Sequence, residues 1–272
     1  MSRRPAQTLA AASLLTASLV LWPRADASAG ACGRPTAVVE IVPGAAVPIP
    51  RGESILVRLG TDPARGLLAA ALEGRLGSDH ARPFEIGARL EREGATAIPL
   101  RVEALGPGLA RWVPATPPSV GRWRVVAGER SVEITFGARA AQPAPAAPHL
   151  LSMTRQSPDA TGGGSGLLGS GGSSRSGGAP RPITVARLGG GIRAPAIGLI
   201  VYAATARGDL PWLVPRNLGA TEQVVVHAPG GRCSFGVPGE NPPPPGTPVR
   251  VATYDLWGRV SPPSETVTVD GT

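Results

Sequence analysis

One position in four of this chain is glycine or proline, 37 and 31 of 272 residues. Glycine raises the entropic cost of ordering a helix, and proline removes a backbone donor, so short strands and turns are favoured over long helices. What survives is a set of short runs between turns, the pattern of an all-β chain. The clearest run lies at 247–269. Val249, Val251 and Thr253 alternate there with Arg250, Ala252 and Tyr254, which puts one set on a buried face. Asp255-Leu256-Trp257-Gly258 then makes a turn in which Gly258 takes a positive φ. Glu265 to Val269 alternates again, closing a hairpin.

The same reading divides the chain. Residues 32–138 hold about seven short strands, over 35–42, 53–59, 84–90, 97–102, 110–113, 121–126 and 131–136, separated by Gly/Pro turns. The Ala/Leu-rich 64–76 forms one or two helical turns or holds a further strand. Residues 139–148 are an Ala/Pro spacer. Residues 149–272 supply strands at 149–156, 182–188, 197–204, 210–214 and 221–227 before the hairpin. Inside them 157–181 is a Gly/Ser-rich stretch of disorder-prone composition. It is a loop of the second domain if 149–156 is that domain's first strand, and otherwise part of the linker. Aromatic residues make up only 4% of the chain, so both cores rest on Val, Ile, Leu and Ala and are thin.

Val251, Asp255, Gly258, Ser261, Pro263, Ser264, Val267 and Val269 occupy the positions of the last hairpin in fibronectin type III and related Ig-like sandwiches, which the second domain resembles. Upstream, Gly44-Ala45-Ala46-Val47-Pro48, Ile55 to Leu59, Trp112-Val113-Pro114 and Gly121 to Val125 follow in order. This series resembles the bacterial Ig-like domains of surface-layer proteins. The two resemblances imply two antiparallel β-sandwiches in an envelope setting.

Arg3 and Arg4 precede an apolar run from Leu9 to Trp22 and small residues ending Ala25-Asp26-Ala27 and Ala29-Gly30-Ala31. A basic start, a short apolar segment and an Ala-x-Ala exit are the marks of a secretory signal peptide over 1–31. The apolar run is too short for an ordinary membrane span, so no transmembrane helix is expected in the mature chain, which is placed in the periplasm, on the outer surface or in the medium. Cys32 and Cys233 are the only cysteines, and in an oxidising compartment two cysteines most simply pair. Acylation of Cys32 as a lipid anchor is the rival reading, because Ala29-Gly30-Ala31-Cys32 faintly resembles a lipobox.

The formal charge is +8, and all 27 basic residues are arginine. Beyond Arg3 and Arg4 they are dispersed, Arg122 and Arg124 being the densest pair, whereas a nucleic-acid footprint needs a clustered basic stripe; no nucleic-acid partner is expected. His80, His149 and His227 lie apart from any G-x-S-x-G elbow, so no nucleophilic triad is assembled, and no metal site or cofactor is expected. Gly164-Ser165-Gly166-Leu167-Leu168-Gly169 matches G-x-G-x-x-G but lacks the flanking strand and helix of a dinucleotide site. Asp255 is the most tempting acid, and its place before Gly258 marks it as a turn former. The expectation is a non-catalytic exported protein serving structure, adhesion or protein interaction, its partner an envelope protein or polysaccharide. A carbohydrate-binding module or envelope enzyme is the alternative, with Trp112, Trp123, Trp212 and Trp257 as a sugar platform.

Overall fold

The computed structural model describes residues 38–43, 47–60, 67–68, 80–140, 143–156, 183–206, 208–214, 222–227 and 243–271. Residues 1–31 (expected to be a signal peptide), both cysteines and the Gly/Ser tract lie outside the described residues, as do His227's side chain and most of 64–76. Arg34–Thr272 form one compact unit. The described residues are all-β, arranged as two mixed sheets, and no helix among them is long and apolar enough to cross a membrane.

The first sheet is built from β1 (Val38–Ile41), β2 (Ile49–Pro50), β3 (Ile55–Gly60), β4 (Leu67–Leu68), β5 (Arg89–Glu91), β6 (Ile98–Gly106), β7 (Leu109–Pro114), β8 (Gly121–Ala127) and β9 (Arg130–Gly137). Its order is β2-β9-β8-β5-β6-β7-β3-β1-β4. β6 is the pivot: Ile98 and Pro99 pair with β5, while Leu100 to Gly106 pair with β7. The sheet therefore has two arms, and their inward residues meet in one core. Val39, Val57 and Trp112 come from one arm, Leu90, Val125, Ile134 and Phe136 from the other. The two-residue alternation of β8 places Trp123, Val125 and Ala127 in that core and Arg122 and Arg124 in water, as the pleat requires.

The second sheet holds β10 (Leu150–Gln156), β11 (Ile183–Leu188), β12 (Ala196–Thr205), β13 (Gly208–Leu213), β14 (Gln223–His227), β15 (Pro248–Asp255) and β16 (Val267–Asp270). Its order is β13-β12-β15-β16-β10-β11-β14. Here β16 is the pivot. Val267 and Thr268 pair with β15, and Val269 and Asp270 with β10. Met153, Ala186 and Leu188 face Leu199, Val201, Val249 and Val251 across a second core.

Two expectations are corrected. The sheets are not purely antiparallel: β2 runs parallel to β9, and β10 parallel to β16. β16 passes from β15 in one arm to β10 in the other without reversing, and so runs parallel to β10; β2 pairs with β9 alone, at the edge of the first sheet. Pro48 and Pro50 have no N–H to give, which confines β2 to the sheet edge. The strand expected over 84–90 is shorter as well. Pro83 sits in the first turn of a 3-10 segment, Arg82–Phe84, that inserts Phe84 fully into the core, and pairing starts only at Arg89.

Candidate functional site

The closing hairpin does more than seal the second sheet. After β15 the chain turns through Asp255 to Gly258, and Tyr254 bridges Val260 on the return. Asp255 is fully buried, and its carboxylate builds the turn. Oδ1 accepts the backbone N–H groups of Trp257 and Arg259, each at 2.9 Å, and Oδ2 accepts Arg259 Nε at 2.7 Å. The second terminal nitrogen of Arg259 lies 2.6 Å from the same oxygen. Charge-assisted hydrogen bonds such as those to the Asp255 carboxylate are about twice as strong as neutral ones. Gly258 closes the turn with φ of 74° and donates its N–H to the Asp255 carbonyl at 3.0 Å.

This turn reaches the first sheet. Trp257 packs on the first core, not on its own. Ser54 donates its hydroxyl hydrogen to the Trp257 carbonyl at 2.6 Å. Arg259 spans the same gap to Glu53 Oε1 at 3.4 Å, with side-chain exposures of 16% for Arg259 and 12% for Glu53. Arg111 of β7 donates to the Gly258 carbonyl at 3.4 Å while its other nitrogens hold Glu103. A Cβ on Gly258 would lie 3.1 Å from Arg111 Cβ and 3.3 Å from Leu56 Cδ1, so only glycine lets the turn approach this closely.

Apolar contacts surround the polar ones. Leu56 and Leu109 of the first sheet and Ile200 and Tyr254 of the second form one buried cluster. Gly106, at the end of β6, faces Val214 and Ile200, and a Cβ there would come within 3.0 Å of Val214. Tyr254 lies over Gly198 on β12, its ring filling the space where a side chain would stand, an aromatic covering a glycine across paired strands. Burial raises the Tyr254 hydroxyl above the usual tyrosine value, against the pull of Arg58. Burial likewise raises the Glu53 carboxyl; Asp255 pushes it the same way, and Arg259 and Arg111 oppose.

The return strand solves a donor problem. Ser261-Pro262-Pro263-Ser264 runs beside β15, and its two prolines have no N–H to give. Ser261 and Ser264 donate their N–H groups to the Thr253 and Val251 carbonyls at 2.9 and 2.8 Å. Their hydroxyls accept the Thr253 and Val251 N–H groups, both at 3.0 Å. Three residue steps on one side thus oppose two on the other, and side-chain oxygens replace the carbonyls that this bulge displaces. The Ala/Pro-rich segment is tied in as well, since Thr253 donates its hydroxyl to the Ala146 carbonyl at 3.2 Å.

Three of the four tryptophans named from the sequence pack on the first core and one on the second. Trp112 is fully buried in the first core with its N–H on the Phe84 carbonyl at 3.2 Å. Trp123 is buried there too, donating to the Ser119 carbonyl at 2.8 Å beneath the Arg92 guanidinium. Trp212 packs on the second core and Trp257 across the joint. Neither Trp112 nor Trp123 offers a ring face to a sugar. Among the described residues, no group of three or more His, Cys, Asp or Glu is placed to hold a metal ion.

No family model, curated protein or solved structure matches the chain.

The joint's other members escaped sequence reasoning. Glu53 and Arg259 are 206 positions apart, and no local pattern links them. Only the four-residue spacing of Asp255 and Arg259 was visible, and outside a helix that spacing carries no geometric meaning.

Proposed function

We propose that this chain is an exported, non-catalytic protein of the cell envelope, a structural, adhesive or protein-interaction module made of two Ig-like, fibronectin type III-like sandwiches. The observation that carries the reading is the joint. The acid that most resembled a site residue, Asp255, spends its buried carboxylate on a turn and on Arg259, and the turn anchors one sheet to the other. At the joint the polar groups converge on one another, and such a fastening suits a stiff spacer or scaffold. The basic, apolar, Ala-x-Ala leader supports export, and a Cys32–Cys233 bridge would tie the start of the mature chain to its second half, adding to the same stiffness.

Cell fractionation with terminal sequencing and non-reducing peptide mapping of the native protein tests this. Expected are a mature start near residues 28–32, a Cys32–Cys233 peptide pair, and recovery of an envelope protein when the mature chain is used as bait. A cytoplasmic, uncleaved product would overturn export. A diacylglyceryl mass on Cys32 would replace the bridge with a membrane anchor, and glycan-array binding would move the assignment to the carbohydrate-binding alternative.

A further inference from the structure

The joint carries two carboxylates around one guanidinium, and the sharing is unequal. Asp255 takes the Nε and one terminal nitrogen of Arg259 at 2.7 and 2.6 Å and two backbone N–H groups besides. Glu53 meets only the remaining nitrogen, at 3.4 Å. The other charges facing this place are already engaged. Arg111, from β7, holds Glu103 at 2.7 Å, and Glu103 is shared with Arg101 of β6 at 2.6 Å. Arg51, on Glu53's own turn, is exposed. Glu53 is therefore the anion whose charge is least compensated, in a site that excludes most of the surrounding water and sits beside a second carboxylate. Under such conditions a carboxyl group favours its neutral form.

We propose that the joint between the two sheets is a proton-responsive fastener, tighter when Glu53 is protonated and looser when it is ionised. Protonation removes the repulsion from Asp255, while the neutral carboxyl still accepts from the guanidinium. The upward displacement of the Glu53 carboxyl by burial points the same way. The sign follows from linkage. A carboxyl that holds its proton more firmly in the folded chain contributes stability present below its unfolded value, and loses it as pH rises through the folded value. Surroundings of mild acidity would stiffen this protein, the reverse of the usual acid loosening of a joint held by ion pairs. The inference rests on the same joint as the proposed function but not on export, so fractionation and the tests below fail independently.

The Trp257 and Arg259 amides bind Asp255 Oδ1 and report the joint directly. Their hydrogen exchange is compared in the full-length wild type and in Glu53→Gln at the same pH, so that intrinsic exchange chemistry cancels. At about pH 7 the wild type should exchange severalfold faster than the variant, and the ratio should approach one near about pH 4, below the ordinary glutamate value. Faster exchange in Glu53→Gln at about pH 7, or a ratio that does not change with pH, overturns the proposal. Carbon-detected titration of the Glu53 carboxyl in the wild-type chain decides the point even if the variant fails to fold. A midpoint above about 4.3 is expected, and one at or below it refutes the device.

Discussion

Replacing Asp255 by Asn isolates what the joint contributes. The substitution keeps the shape, and Asn Oδ1 can still accept the Trp257 and Arg259 amides. The oxygen that holds the guanidinium, however, becomes an NH2 group 2.7 Å from Arg259 Nε, so donor faces donor. Asp255 is fully buried, and Arg259 keeps only its long contact to Glu53 from this trio. Removing one partner of a buried ion pair costs about 3–5 kcal/mol. Arg259 is not wholly enclosed, with 16% of its side chain exposed, so water recovers part of this and about 2–4 kcal/mol is expected. For a chain of this size that is a loss of roughly 5–15 °C in Tm. Urea unfolding followed by far-ultraviolet circular dichroism measures it. Arg259→Met in the same background supplies the control: the uncharged pair should recover about 1–3 kcal/mol relative to additivity, because no stranded guanidinium remains. A cost of Asp255→Asn below about 0.5 kcal/mol, or strict additivity with Arg259→Met, would refute the view that this ion pair fastens the joint.

Three further outcomes follow from the same geometry. Gly258→Ala should cost about 1–3 kcal/mol in urea unfolding, because φ of 74° strains any Cβ and Arg111 and Leu56 crowd its position. Ser264→Ala removes the acceptor of the buried Val251 N–H, and should cost about 1–3 kcal/mol with faster exchange at the Val251 amide. The chain has 2 tyrosines, and burial raises both; Asp209 adds to the rise at Tyr202, and Arg58 opposes it at Tyr254. Ultraviolet titration of the folded protein should therefore show neither ionising at the ordinary midpoint of about 10. The unfolded chain gives up these protons first, so stability should fall as pH rises from about 10 toward the folded values. A normal phenolic step in the folded protein would contradict the burial of both rings.

Strand positions were legible because the pleat repeats every two residues and the turns are marked by Gly and Pro. Val249 to Tyr254, Gly121 to Val126 and Ser131 to Phe136 fall in strands within a residue or two of where alternation put them. The turn role of Asp255 was visible for the same local reason, since an Asp three places before a Gly can bond its own succeeding amides. What misled was local as well: Phe84 to Leu90 is apolar enough for a strand, yet Pro83 turns its start into a 3-10 segment.

The sequence by itself marked an all-β chain and the places of most of its strands, because turns and alternation depend on residues two to four positions apart; it did not show that Leu56, Ala252 and Tyr254, on the faces opposite Val57 and Val251, are buried as well. The tertiary structure alone decided that β2 pairs in parallel with β9 and β16 with β10, that Trp257 enters the first core, and that Glu53 meets Arg259. Such contacts join residues some 90 to 210 positions apart, where no periodicity reaches. Their partners are selected by shape, by the need to seat a buried charge beside its counter-charge, and by the need to satisfy every donor that proline cannot replace.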